Sequence, residues 1–109
     1  MKQSYIYVIA PLDQNANQCK LGISVDPDRR LRQLQTGFPS KLAVHHREPV
    51  KHEDAHSLEK LLHRDIGHHR LQGEWFSLSV NDAIGFIKYV IIQYSSIEDL
   101  KFKTRFKMV

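Results

Sequence analysis

Cysteine is nearly missing from this chain. Cys19 stands alone among 109 residues, so no internal disulfide can form. That excludes a disulfide-stapled secreted scaffold and makes a reducing cytoplasm the expected setting. Long apolar runs are missing as well. The longest, Tyr5–Leu12 and Tyr89–Ile97, fall far short of the roughly 18 residues that span a bilayer. No small-x-small cleavage pattern follows Tyr5–Leu12, so that run reads as a strand and not as a secretion signal. Internal repeats, low-complexity tracts and Gly/Ser linkers are absent too, and one domain spanning 1–109 is expected. With 41% hydrophobic and 26% charged residues the composition is that of a globular protein, not of a disordered or collagenous one.

Charge is uneven along the chain. Residues 1–100 carry twelve Lys/Arg and twelve Asp/Glu, so the formal excess of +4 lies entirely in Lys101, Lys103, Arg105 and Lys107. A nucleic-acid partner is compatible with that balance, and its footprint would be local.

The β-branched and aromatic run 4–10, Ser-Tyr-Ile-Tyr-Val-Ile-Ala, predicts a strand ended by Pro11. A polar, Asn-rich turn follows, and 19–24 predicts its antiparallel partner. Asp26-Pro27-Asp28 opens a helix: Asp caps, Pro suits the first helical position, and a carboxylate favours the positive helix end. Gly37 and Pro39 stop it, and alternation from Leu42 to about Glu48 predicts a third strand. Ala55, Leu58, Leu62 and Ile66 form the buried stripe of a second helix, from about His52 to His68. Gln72-Gly73 is a turn, and Trp75-Phe76 restores apolar character. Ser79 with Asp82 resembles a capping box that starts a third helix over about 80–94. Both faces of that helix are apolar, so it is either buried on most sides or part of an interface, a homodimer included. The order describes an α/β fold, a small, mostly antiparallel sheet with flanking helices.

Two charged residues stand where packing alone would favour apolar ones. Arg30 lies about 40° from Leu34 on the first helix, and Glu59 borders the second helix's stripe. An Asp26–Arg30 pair and a Glu59–His63 pair are the structural alternatives to a functional role. His52, His56, Glu59 and His63 share a helical stripe, so a zinc-binding interaction protein stays open. However, no second cysteine and no recognised zinc spacing accompany it.

Tyr5-Ile6-Tyr7, Lys20-Leu21-Gly22, Arg30 eight residues beyond that glycine, Leu58-Glu59-x-x-x-His63 and Gly73-Glu74-Trp75-Phe76 occur in one order. Together these motifs resemble the GIY-YIG nuclease superfamily, in its compact phage and mobile-element branch, over about 4–78. The resemblance implies a three-stranded antiparallel sheet flanked by helices, followed here by the C-terminal helix and a basic tail, 101–109. It implies phosphodiester hydrolysis with one divalent ion, Mg²⁺ or Mn²⁺. Tyr7 then orients or deprotonates water, Arg30 stabilises the phosphate, and Glu59 holds the metal. Such a site is chemically sensible, since Mg²⁺ takes one or two protein carboxylates and keeps waters and substrate phosphate oxygens. Tyr5 replaces the first motif's glycine, and Lys20 replaces the second motif's tyrosine, adding a cation that joins the catalytic set. Leu34 stands where many members carry His or Tyr. His63 and Glu74 are secondary candidates. The expected partner is DNA, with RNA open, and the alternative activity is nucleic-acid binding without cutting. Arg29, Arg30, Lys101, Lys103, Arg105 and Lys107 are the expected nucleic-acid contacts. In the tail the cations alternate with Phe102, Thr104 and Phe106, which predicts a strand with the four cations in one row.

Overall fold

The computed structural model describes residues 3–13 and 17–107, excepting the side chains of 102–107. Strand β1 (Gln3–Pro11) pairs antiparallel with β2 (Cys19–Ser24) and, on its other side, with β3 (Leu42–Lys51). The hairpin expected from the two β-branched runs is therefore present. A short pair, β4 (Arg70–Gln72) and β5 (Trp75–Phe76), extends the sheet by docking β5 on β2. The sheet order is β3-β1-β2-β5-β4, five strands and not the expected three. Strands of two and three residues leave almost no periodic signal, and their pairing is set by the fold rather than by local preference. Gly73, at φ +60°, makes the tight turn between them. Pro49 lies in edge strand β3, where its missing N–H disturbs no inner ladder.

Helices α1 (Pro27–Gln35), α2 (His52–Ile66) and α3 (Val80–Lys107) cover the sheet. The Asp26 carboxylate accepts from the Arg29 N–H at 3.1 Å, as the cap signal predicted. Ser79 likewise accepts from the Asp82 N–H at 3.1 Å. Helix α2 ends at Ile66 in a 3₁₀ turn, Gly67–His69. Helix α3 does not stop near Tyr94, and the tail is not a strand. It continues as helix through Lys107. No Gly or Pro interrupts residues 86–107, and the helix already formed extends at one hydrogen bond per added residue. The single row of four cations expected of that strand concerns side chains outside the described residues.

Strand alternation sorts the core. Ile6, Val8 and Ala10 of β1 face α2 and α3, meeting Leu58, Leu62, Ile66, Ala83, Ile87 and Val90. Tyr7 and Ile9 face the other way, with Leu42, and Leu31, Leu34 and Phe38 pack over them. Tyr7, the tyrosine of the first motif, lies on this second, smaller face. No helix among the described residues is long and apolar enough to cross a membrane.

Candidate active site

Tyr7 and Gly22 are direct partners across the β1–β2 ladder. The Tyr7 side chain is only 1% exposed, an unusual place for a phenol. It fits because Gly22 has no side chain. A Cβ built there would lie 2.5 Å from Tyr7 Oη, 2.8 Å from its Cζ and 3.1 Å from Glu74 Oε2. Phenol and carboxylate therefore share the space that the glycine leaves open.

The next row of the same face holds Ile9, Lys20 and Trp75, with Lys20 paired to both others. Lys20 is 8% exposed, a cost for an ammonium unless a partner compensates. Glu74 Oε2 lies 3.7 Å from its Nζ, and the Trp75 ring centroid lies 5.7 Å away. Phe38 stacks on Trp75 at 5.3 Å and holds that ring in place. The Glu74 carbonyl accepts from the Leu21 N–H at 3.2 Å, which ties the β4–β5 turn to β2. The Gly73–Phe76 segment, which sequence left divided between turn and core, thus delivers Glu74 to Lys20 and Tyr7.

Arg30 enters from the first turns of α1 and brings its guanidinium near the Tyr7 hydroxyl, where it acts to lower the phenol's pKa. Its Nη1 also donates to Gln33 Oε1 at 3.3 Å, and it forms no ion pair with Asp26. Its neighbour Asp28 accepts from Arg47 of β3 at 2.6 and 3.2 Å, an exposed fork that lashes the helix start to the sheet. Arg47 pairs with Tyr7 across the β1–β3 ladder, so it stands in the Tyr7–Gly22 row. Neither Gly22 nor Arg47 was singled out from sequence as a site residue. The first was visible only as a motif letter, and the second becomes meaningful once β3 is placed beside β1.

The phenol is electrostatically contested. Burial is the largest influence and raises its pKa; the Arg30 guanidinium opposes this, and the charges of Glu74 and, last, Glu59 add to the rise. The net shift is upward, so Tyr7 keeps its proton at neutral pH. A neutral phenol can accept one hydrogen bond and donate another in the same moment.

Glu59 projects from α2, half-buried, and makes no hydrogen bond or ion pair among the described residues. Its charge reaches Tyr7, although more weakly than that of Glu74. His63 is not its partner. That ring takes a hydrogen bond with Arg70 through Nδ1 at 3.1 Å and meets the Phe76 ring edge-on at 5.3 Å. His56 is exposed, and the described residues contain no group of three or more His, Cys, Asp or Glu able to hold a metal ion. The structure thus joins Tyr7, Lys20, Arg30 and Glu74, brings Glu59 within electrostatic reach, and leaves His63 on the other core. Arg29 is exposed on α1, and Lys101 pairs with Glu98 at 3.6 Å on distant α3. The side chains of Lys103, Arg105 and Lys107 lie outside the described residues. Cys19 is buried, donates to the Leu78 carbonyl at 3.5 Å, and has its thiol pushed up to about 12 by burial, which leaves it inert as a nucleophile.

A buried phenol beside the Glu74 carboxylate and near a guanidinium, with an ammonium paired to that carboxylate, gathers the kinds of group that phosphate chemistry uses. The chain belongs to the T5orf172 domain family, whose family model matches residues 4–91. That family is a phage-associated, endonuclease-type domain, consistent with a nuclease-like or DNA-binding role. No curated protein and no solved structure matches the chain.

Proposed function

We propose that this protein is a metal-dependent endonuclease that hydrolyses phosphodiester bonds in DNA, as the GIY-YIG resemblance implies. The observation that carries the reading is the buried Tyr7 hydroxyl in the gap at Gly22, with Glu74 beside it, Lys20 paired to Glu74 and the Arg30 guanidinium near enough to lower the phenol's pKa. A core residue would not need a gap, a guanidinium and a carboxylate around its hydroxyl. Arg30 and Lys20 supply the positive charge that a phosphate group and its transition state require. Tyr7, protonated, orients the attacking water through its hydroxyl and does not act as a phenolate base. Glu59 would hold the divalent ion, Mg²⁺ or Mn²⁺, being the half-buried carboxylate left without a partner among the described residues. One such carboxylate suits a cation that keeps its waters and borrows phosphate oxygens, whereas a structural zinc takes three or four protein ligands. When bound, the ion supplies Lewis acidity to the scissile group.

Lys20 and Glu74 act as a pair in this reading. Glu74→Gln is expected to lower kcat about tenfold, the weight of one charge-assisted contact, with KM nearly unchanged. Steady-state kinetics on plasmid nicking measures the split. A rise in KM alone would assign Glu74 to DNA binding.

The basic end of α3 contributes to nucleic-acid affinity without entering the centre. Changing Lys101, Lys103, Arg105 and Lys107 to Gln is expected to flatten the plot of log affinity against log salt by about 2 units. A change of about 2 units corresponds to two phosphate contacts on duplex DNA. Fluorescence anisotropy from low to moderate salt tests it, and an unchanged slope would reserve the cations for solubility.

The direct test of the function is incubation of purified protein with supercoiled, linear and single-stranded DNA, with Mg²⁺, Mn²⁺ or chelator. Metal-dependent nicking supports it. Binding without cutting under every metal would make the domain a binding module on the same fold.

A further inference from the structure

Helix α3 is 28 residues, about 42 Å at 1.5 Å per residue, in a molecule whose two shorter dimensions are 31 and 20 Å. Its inner face packs on the core through Ala83, Ile87 and Val90. Its opposite face is not polar. Tyr89, Ile92 and Leu100 are 55%, 65% and 65% exposed and fall within about 80° of one another around the helix. Large apolar side chains gathered on one outward stripe mark a contact surface, whereas isolated ones do not.

The charges beside this stripe select the partner. Lys88 and Asp99 lie on the same flank of it, both exposed, and neither makes an ion pair among the described residues. Lys88 lies about 6.5 residues and Asp99 about 4.5 residues from the midpoint between Tyr89 and Leu100, on opposite sides of it, a mismatch of about 3 Å along the helix that the lysine side chain spans. A second α3 running antiparallel, with Tyr89 of one copy against Leu100 of the other, brings Lys88 to Asp99 twice through the two-fold axis. In a parallel pair the same flank of the two copies lies on opposite sides of the seam, so Lys88 and Asp99 would not meet. Exposed Gly85 and Ser96, small and on the same stripe, let the helix backbones approach.

We propose that the protein forms a two-fold symmetric dimer through the outward stripe of α3, the two helices antiparallel and joined at the flank by reciprocal Lys88–Asp99 pairs. The contact is isologous and leaves the sheet face with Tyr7 open in both copies. It does not depend on the nuclease reading. A helix pair of this length buries roughly 1,000 Å² in total, the lower end of specific interfaces, so dimerisation belongs to the micromolar range.

Sedimentation equilibrium of the full chain between about 1 and 200 µM tests the proposal. A monomer–dimer equilibrium is expected for wild type. Ile92→Glu, whose side chain is outside the core, should leave the circular-dichroism melting temperature unchanged and abolish the dimer. Lys88→Glu should weaken dimerisation about tenfold by placing like charges in both pairs, and Lys88→Glu with Asp99→Lys should restore it to within about threefold of wild type. A chain that stays monomeric at all these concentrations overturns the proposal. So does a dimer indifferent to Ile92→Glu, or one that the charge exchange does not restore.

Discussion

Replacing Arg30 by alanine is expected to reduce DNA cleavage by roughly 10²–10³-fold with little change in melting temperature. That is the usual loss when one preorganised donor to a developing negative charge is removed. Arg30 is partly exposed and belongs to neither apolar cluster, so its truncation opens no core cavity. Its partners make the effect specific. The guanidinium favours the ionised phenol, against burial and the Glu74 charge. Without it the Tyr7 pKa rises further, and the positive charge nearest the phenol in this reading is lost. Arg30→Lys keeps the charge but not the planar fork, so it should recover only a small part of the activity. Nicking assays on supercoiled DNA, run beside thermal melts, read both quantities. Loss of activity accompanied by loss of fold would transfer Arg30 to a structural role.

The second large effect is expected at Gly22. Gly22→Ala places a Cβ 2.5 Å from the Tyr7 hydroxyl oxygen and 2.8 Å from the carbon that bears it. Real side chains do not approach so closely. Tyr7 cannot swing away, because it is packed with Ile9 and Leu42 beneath Leu31, Leu34 and Phe38. The strand or the ring must shift, at about 1–3 kcal/mol of stability as for other overpacked sites. A displacement on the order of 1 Å at a reacting centre can cost about 100-fold in rate. Both losses should appear together. Tyr7→Phe in the Gly22→Ala background removes the closest clash, so the double variant should melt above Gly22→Ala while remaining inactive. A cycle of the four proteins by denaturant unfolding tests the coupling, and simple additivity would show that the two residues do not meet.

Much of the fold could be read from local patterns. The β1–β2 hairpin followed from two β-branched runs around a polar turn, and α1 from Asp26-Pro27. The stripe Ala55, Leu58, Leu62 and Ile66 proved to be buried. Each of these signals lies within a few residues of itself. The readings that failed depended on distant pairing or on competition between patterns. Trp75–Phe76 is a strand because β2 offers it an edge, and Arg70–Gln72 because Trp75–Phe76 does in turn. The alternation of cations and apolar residues in 101–107 matched a strand, yet a helix arriving from Val80 with nothing to stop it prevailed.

The site divides along the same line. Tyr7, Lys20, Arg30 and Glu59 were legible as residues whose order resembles a nuclease, and Lys20 was legible as a departure from it. What the departure does was not. Only the β2–β5 register shows that Lys20 faces Trp75 and meets Glu74, 54 residues further on. The lysine is accommodated by a carboxylate and an aromatic ring more than fifty residues away, beyond the reach of any local pattern. His63 shows the opposite case. It shares a helical stripe with Glu59 by spacing, but its ring is drawn to Arg70 and Phe76 across the core.

The central claim is that this centre cuts DNA with an ion held by Glu59. The most direct measurement is the rate at which wild type and Glu59→Ala, equal in melting temperature, nick supercoiled DNA with Mg²⁺ and with chelator. The account predicts nicking by wild type with Mg²⁺ and none in the other three conditions. Nicking by wild type in chelator, or by Glu59→Ala at the wild-type rate, would contradict it.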